Sequence, residues 1–202
     1  MTYENSDINL SKLEFVYVGA DKPTVDDFKP IRNFNPETDC HNPTKPNGGL
    51  WASPVMGNGK SDWENWLDEE DPWEHKTNRE MFGLENKEEQ RFYVKPKKGC
   101  RILYADSPEK YEPYLQKKDG KPVVAHHVPL IDYEAMMKDF DAIYVPERHD
   151  DFPGPFQRWS AKTLLIGNID AFDVQTELEH SKQKSSSMGM RMPYMFAAKF
   201  HR

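Results

Sequence analysis

The sequence predicts a mixed α+β domain. Three observations carry that expectation. Short runs rich in branched and aromatic residues recur along the chain, bounded by Gly, Pro or charged residues, as strands are. Other segments place a capping residue ahead of apolar positions at helical spacing. The 202 residues include 16 prolines and 11 glycines, enough to supply large irregular loops between these elements.

Residues 1–12 form a polar lead. Leu13-Glu14-Phe15-Val16-Tyr17-Val18-Gly19 reads as a strand ended by glycine. Pro23 to Lys45 is loop-like, with Phe28, Ile31 and Phe34 as apolar anchors. Gly49 to Ser53 is a short strand, entered through the pair Gly48-Gly49. Ser61 caps a helix carrying Trp63, Trp66 and Leu67 on one face, with Asp62 and Glu64 in its first turn. Asp68 to Asp71 is an acidic, solvated surface.

Arg91-Phe92-Tyr93-Val94 and Arg101-Ile102-Leu103-Tyr104 are two strands, joined through Lys95 to Gly99 as a hairpin or a short crossover. Ser107-Pro108-Glu109 starts a helix running to about Gln116, followed by a charged loop, Lys117 to Lys121. Asp132 caps a helix with the stripe Tyr133, Met136, Met137 and Phe140. Asp141 to Val145 and Thr163 to Ile166 are buried strands, and Ile169 and Phe172 pack where the chain leaves the sheet. The domain spans 13–176. A basic, Ser- and Met-rich tail follows at 177–202, and disorder, docking on the domain surface and partner binding all stay open for it.

A chain of this length can bury a substantial core. Hydrophobic content is 37%, offset by 12% aromatics, each able to bury a large area. A net charge of −7 argues against broad binding to nucleic acid, which needs a basic face. Two cysteines, Cys40 and Cys100, are too few for a disulfide framework. With no leader and no apolar run near the ~20 residues that span a bilayer, the expectation is a soluble, cytoplasmic protein with reduced thiols and no membrane partner.

No metal site is expected. His126 and His127 are adjacent and point to opposite faces of a strand, while His41 beside Cys40 and His149 beside Asp150 lack partners at ligand spacing. Gly57-Asn58-Gly59-Lys60-Ser61 lacks the spacing of a phosphate loop, and no serine sits in a nucleophile elbow. Glu147 stands out among the acids. It follows Pro146 at the end of a buried strand, a rigid platform for a reacting group, although an ordinary exposed glutamate paired with Arg148 would look the same.

Several of these segments resemble the ADP-ribosyltransferase fold, including its diverged bacterial and phage-type members. Phe15 to Gly19, followed by Phe28 and Ile31, is similar to the family's first strand. Gly49-Leu50-Trp51-Ala52-Ser53 is similar to its second. Phe140 to Glu147 resembles the family's "Tyr-Asp-Gly-Ile/Val" strand, and Thr163 to Ile169 with Phe172 resembles its last strand and exit. The likeness covers about Leu13 to Phe172. Val18 stands near the family's cofactor-contacting His, no Ser-Thr-Ser segment is present, and Trp159-Ser160 lie where a Glu is expected.

The resemblance implies a mainly antiparallel, split β-sheet core with peripheral helices, and an NAD-dependent transferase of the glycosyltransferase type. Glu147 and Tyr17 would be catalytic, with Asp150 or Asp151 as reserve acids. Gly19, Gly48, Gly49, Trp51, Ser53, Trp63 and Trp66 would bind NAD, by close backbone approach or aromatic stacking. Core packing, ahead of stacking, is the other reading of the tryptophans, and a loop turn is the equal alternative for the glycine pair. The acceptor would be a macromolecule, a protein before a nucleic acid. The alternative is a non-enzymatic binding or inhibitor protein, of a phage or mobile-element kind, acting through the acidic segment Asp68 to Glu74, the aromatic rim or the basic tail. Nucleic-acid binding through Lys182 to Arg202 is a third reading, marked by collapse at high salt.

Overall fold

The computed structural model describes residues 10, 13–26, 28–35, 44–85, 87–125, 127–148 and 154–189. The lead apart from residue 10, Cys40, His41, His126, His149, Asp150, Asp151 and the end of the tail lie outside them.

The chain folds as α+β around one curled, mixed seven-stranded sheet with few helices. Its strands are β1 (Phe15–Gly19), β2 (Leu50–Pro54), β3 (Gln90–Pro96), β4 (Ile102–Tyr104), β9 (Ala142–Val145), β10 (Thr163–Ile166) and β11 (Phe172–Thr176), in the order β11-β3-β1-β2-β10-β9-β4. Every neighbouring pair is antiparallel except β4 with β9. Two short ladders stand apart: β5 (Lys117–Lys118) with β6 (Lys121–Pro122), and β7 (Val124–Ala125) with β8 (Val128–Pro129).

Chain connectivity explains the curl. Strands β3 and β4 are five places apart, about 24 Å in a flat sheet. The five residues between them span at most about 21 Å, and they also turn. The sheet therefore bends until its two sides approach. Asp141 ties this corner. Its carboxylate accepts from the Arg101 amide at 2.9 Å and the Asn168 side chain at 2.9 Å, and its carbonyl accepts from the amides of Gly167 and Asn168. Burial raises the Asp141 carboxyl, but these Arg101 and Asn168 bonds outweigh it and hold the group below its ordinary range.

The curl creates two cores. Alternate residues of each strand face inward, where Phe15, Ala52, Val94, Tyr104, Tyr144 and Phe172 meet from both sides of the sheet. The other set, including Leu103, Ile143, Val145 and Leu165, faces outward beneath α4 (Tyr133–Asp139), Phe156 and Trp159. Strands β9 and β10 are covered on both faces, so all their residues are buried and their sequences are continuously apolar rather than alternating. Each large side chain so buried contributes about 1.5–3 kcal/mol.

Local signals account for the helices. Ser61 caps α1 (Asp62–Leu67) through a capping box with Glu64, and Thr77 caps α2 (Asn78–Met81) the same way with Glu80. Pro108 opens α3 (Pro108–Tyr111), which passes into a 3-10 turn. Asp132 caps α4 by accepting from the Ala135 amide, and Tyr133 and Met136 are the buried face of the expected stripe.

Three expectations need correction. Residues 91–94 and 101–104 do not form a hairpin: β3 is flanked by β1 and β11, and β4 lies at the opposite edge beside β9. Phe172 does not merely pack where the chain leaves the sheet; it begins β11, which pairs with β3 along its whole length. Lys117 to Lys121 is not simply a loop, because Asp119 and Gly120, both with positive φ, close the β5–β6 turn. From residue 177 the chain forms α5 (Glu177–Gly189), which packs on β11 and β3.

A cleft at the parting of two strands

Strands β1 and β2 have five residues each, yet pair only at Phe15↔Pro54 and Val16↔Ser53. Beyond that, β1 follows β3 to Gly19 while β2 runs beside β10 from Leu50. The sheet parts between them. Continuing the register sets Val18 opposite Trp51, but among the described residues no ladder pair joins the two. The Val55 amide bonds the Glu14 carbonyl at 2.7 Å, so alternation turns the amide and carbonyl of Val18 and of Trp51 toward the opening.

Two cavities flank it and share Tyr17 and Trp51. One, of about 330 Å³, is walled by Val18, Lys45, Trp63, Trp159, Ser160 and Ala161. The other, of about 620 Å³, is bounded by Asp21, Lys22, Phe28, Lys29, Gly48 and Gly49. The Lys45 ammonium stands 5.8 Å over the Trp51 ring. Trp51 leans on the buried Trp159 with ring centroids 4.8 Å apart, and the Trp159 indole donates to the Thr44 carbonyl at 3.1 Å. That carbonyl also accepts from the Tyr133 hydroxyl at 2.9 Å, which pins the segment carrying Lys45 to the outer core.

Several candidate residues are occupied with the fold itself. The Ser53 hydroxyl donates to the Lys162 carbonyl at 2.7 Å and accepts from the Trp63 amide at 3.1 Å, fastening α1 to β2 and β10. Gly48 has φ +80°, and a Cβ there would lie 2.3 Å from the Pro30 carbonyl oxygen; Gly49 has φ +72° and donates its amide to the Lys29 carbonyl at 2.8 Å. Gly19 lies against the Tyr17 ring, whose hydroxyl would be 2.4 Å from an added Cβ. Trp63 stacks on Trp66 at 4.9 Å, and Trp66 in turn meets Phe82 at 5.6 Å without lining either cavity.

Glu147 is exposed just past the end of β9 and lines neither cavity. Its charge reaches Tyr104, whose hydroxyl is pushed up by burial, then by Asp106 and Glu147. The next residue, Arg148, is anchored. Its Nε and Nη2 each donate to the Asp62 carboxylate at 3.0 Å, and Nη1 bonds Glu69. Asp62 is only 4% exposed and also accepts from the Lys162 amide at 2.8 Å. Asp62 and Ser53 thus grip the amide and the carbonyl of one residue, Lys162, just before β10. In sequence Asp62 looked like any first-turn acid, and its partner lies 86 residues away.

The Cys100 thiol is pushed up to about 12 by burial and then by Asp141, which favours the thiol over the thiolate. Among the described residues, no group of three or more His, Cys, Asp or Glu could hold a metal ion, and no helix is long and apolar enough to cross a membrane. No family model, no curated protein and no solved structure matches the chain.

Proposed function

We propose that this protein is an ADP-ribosyltransferase-like enzyme that binds NAD in the cleft between β1 and β2 and modifies a macromolecule. The observation that carries the reading is the parted sheet, with Tyr17 and Trp51 common to the cavities on either side. Both cavities fall in the range of small-molecule sites, and a dinucleotide suits two compartments joined at an aromatic waist. The facing backbone groups of Val18 and Trp51 suit a carboxamide, which offers both a donor and an acceptor. Trp51 or Tyr17 offers a stacking face for nicotinamide. Lys45, Lys22 and Lys29 supply positive charge for phosphates.

In the reaction the bond between nicotinamide and ribose C1′ breaks, and nicotinamide leaves neutral with the bonding electrons. The acceptor's nucleophile bonds C1′ and gives up its proton. A carboxylate stabilises the positive charge that develops on the ribose. Glu147 is our assignment for it; because Glu147 lines neither cavity, the assignment requires the ribose to reach beyond them toward the Arg148–Asp62 clasp.

One observation favours a second reading, a binding protein without turnover: among the described residues, none lining the smaller cavity bears a carboxylate. A thermal shift with NAD, followed by nicotinamide release with and without cell lysate, separates the two. The enzyme reading expects a shift and release, both dependent on NAD, with release abolished in Glu147→Gln at unchanged melting temperature. Wild-type turnover in that variant removes Glu147 from the mechanism. Neither shift nor release leaves the binding protein.

A further inference from the structure

Residues 68–89 hold nine acidic and three basic side chains, so this short stretch accounts for six of the seven net negative charges of the chain. The same stretch displays large apolar side chains: Trp73 is 87% exposed, Phe82 61% and Met81 40%. Bonding within the segment holds them out. Asp71 accepts from the amides of Trp73 and Glu74 at 2.8 Å, and the Asn78 side chain donates to the Trp66 carbonyl at 2.8 Å. Arg79 bridges Asp68 and Glu89. Exposed aromatic side chains amid acids that Arg79, Lys60 and Arg148 only partly pair mark an interaction surface, and its chemistry asks for a basic polypeptide with apolar anchors.

The chain itself carries such a polypeptide. Residues 190–202 contain no acidic side chain; Arg191, Lys199 and Arg202 are basic, and Tyr194, Phe196 and Phe200 are aromatic. They follow Gly189, where α5 ends. Thirteen residues can extend about 45 Å, comparable to the diameter of a domain whose radius of gyration is about 16 Å. We propose that residues 190–202 dock on the acidic aromatic platform of residues 68–85 in the same chain. The row Phe82–Trp66–Trp63 runs from that platform to the smaller cavity, so docking touches the wall of the cleft. The proposal stands independently of NAD.

The test is zero-length carbodiimide cross-linking of the full chain, read by mass spectrometry after digestion. Lys199 is expected to link to Glu74, Glu80 or Glu85, with a yield that does not change on dilution. The yield should fall about fivefold in Trp73→Ala/Phe82→Ala, which removes both exposed anchors, and in Arg191→Glu/Arg202→Glu, whose changes lie outside the described fold. Links from Lys199 scattered over acids elsewhere, or none, overturn the proposal, as does an unchanged yield in either variant. A yield that vanishes on dilution moves the contact to a second copy and overturns the intramolecular form.

Discussion

Replacing Asp62 by Asn tests the clasp that holds α1, β2, β10 and the strand end bearing Glu147 together. Asn keeps the shape of the side chain but removes the charge, and turns an NH2 toward groups that are themselves donors. Asp62 accepts three bonds from two partners, two from Arg148 at 3.0 Å and one from the Lys162 amide at 2.8 Å. Breaking a fully buried pair costs about 3–5 kcal/mol. Here the Arg148 side chain is 28% exposed and keeps Glu69, so part of its hydration and pairing is regained. The expected loss is about 2–3 kcal/mol, or a drop of about 5–10 °C in melting temperature for a domain of this size. Denaturant and thermal melts followed by tryptophan fluorescence read it directly. In a double-mutant cycle with Arg148→Met, the double variant should be little worse than the poorer single one. A drop below about 2 °C, or single-variant losses that simply add, would refute the clasp.

Gly48→Ala should be far costlier than Gly59→Ala. Both glycines have positive φ, +80° and +82°, but an added Cβ at Gly48 strikes the Pro30 carbonyl oxygen while Gly59 faces open space. The strain alone is about 1–2 kcal/mol, so equal losses in a denaturation series would mean the close approach is not real. Trp51→Ala should cost about 2–3 kcal/mol, below the range for a fully buried tryptophan because Trp51 is half-buried; it should also weaken NAD binding in calorimetry, and unchanged affinity would take Trp51 out of the site. His180 stacks on Tyr93 at 3.8 Å, beside Glu14 and Lys184, and burial holds its folded value below 6.5 despite Glu14. The unfolded chain therefore takes up the proton first, and stability present above pH 6.5 is lost as pH falls from there through the folded value. Melts between pH 7.5 and 5.5 should show this decline, and His180→Gln should flatten it; an equally steep decline in the variant would assign it elsewhere.

Elements whose cause is local were legible in the chain. The capping box of Ser61 and Glu64, the cap at Asp132, and the apolar runs of β9 and β10 each carry their signal within a few residues, because hydrogen bonds and side-chain spacing within one segment specify them. Of the residues that the resemblance groups, Tyr17, Trp51 and Trp63 line the smaller cavity, whereas Trp66 and Glu147 line neither. The β3–β4 link was misleading for the converse reason. Its Pro-Lys-Lys-Gly sequence has turn chemistry, but a turn does not specify which strands flank it.

Everything depending on partners far along the chain appeared only in the folded molecule. The five-residue ladder of β11 on β3, the corner tied by Asp141, the clasp between Asp62 and Arg148, and the early parting of β1 from β2 join segments tens of residues apart. The same physics underlies each. The short β3–β4 link bends the sheet into a curl, and the curl sets which polar groups are buried together and must find one another. Ser53 and Asp62 could be seen in the sequence as polar residues near a strand and a helix; that they hold the carbonyl and the amide of Lys162 follows from the closure of the sheet, which no single segment encodes.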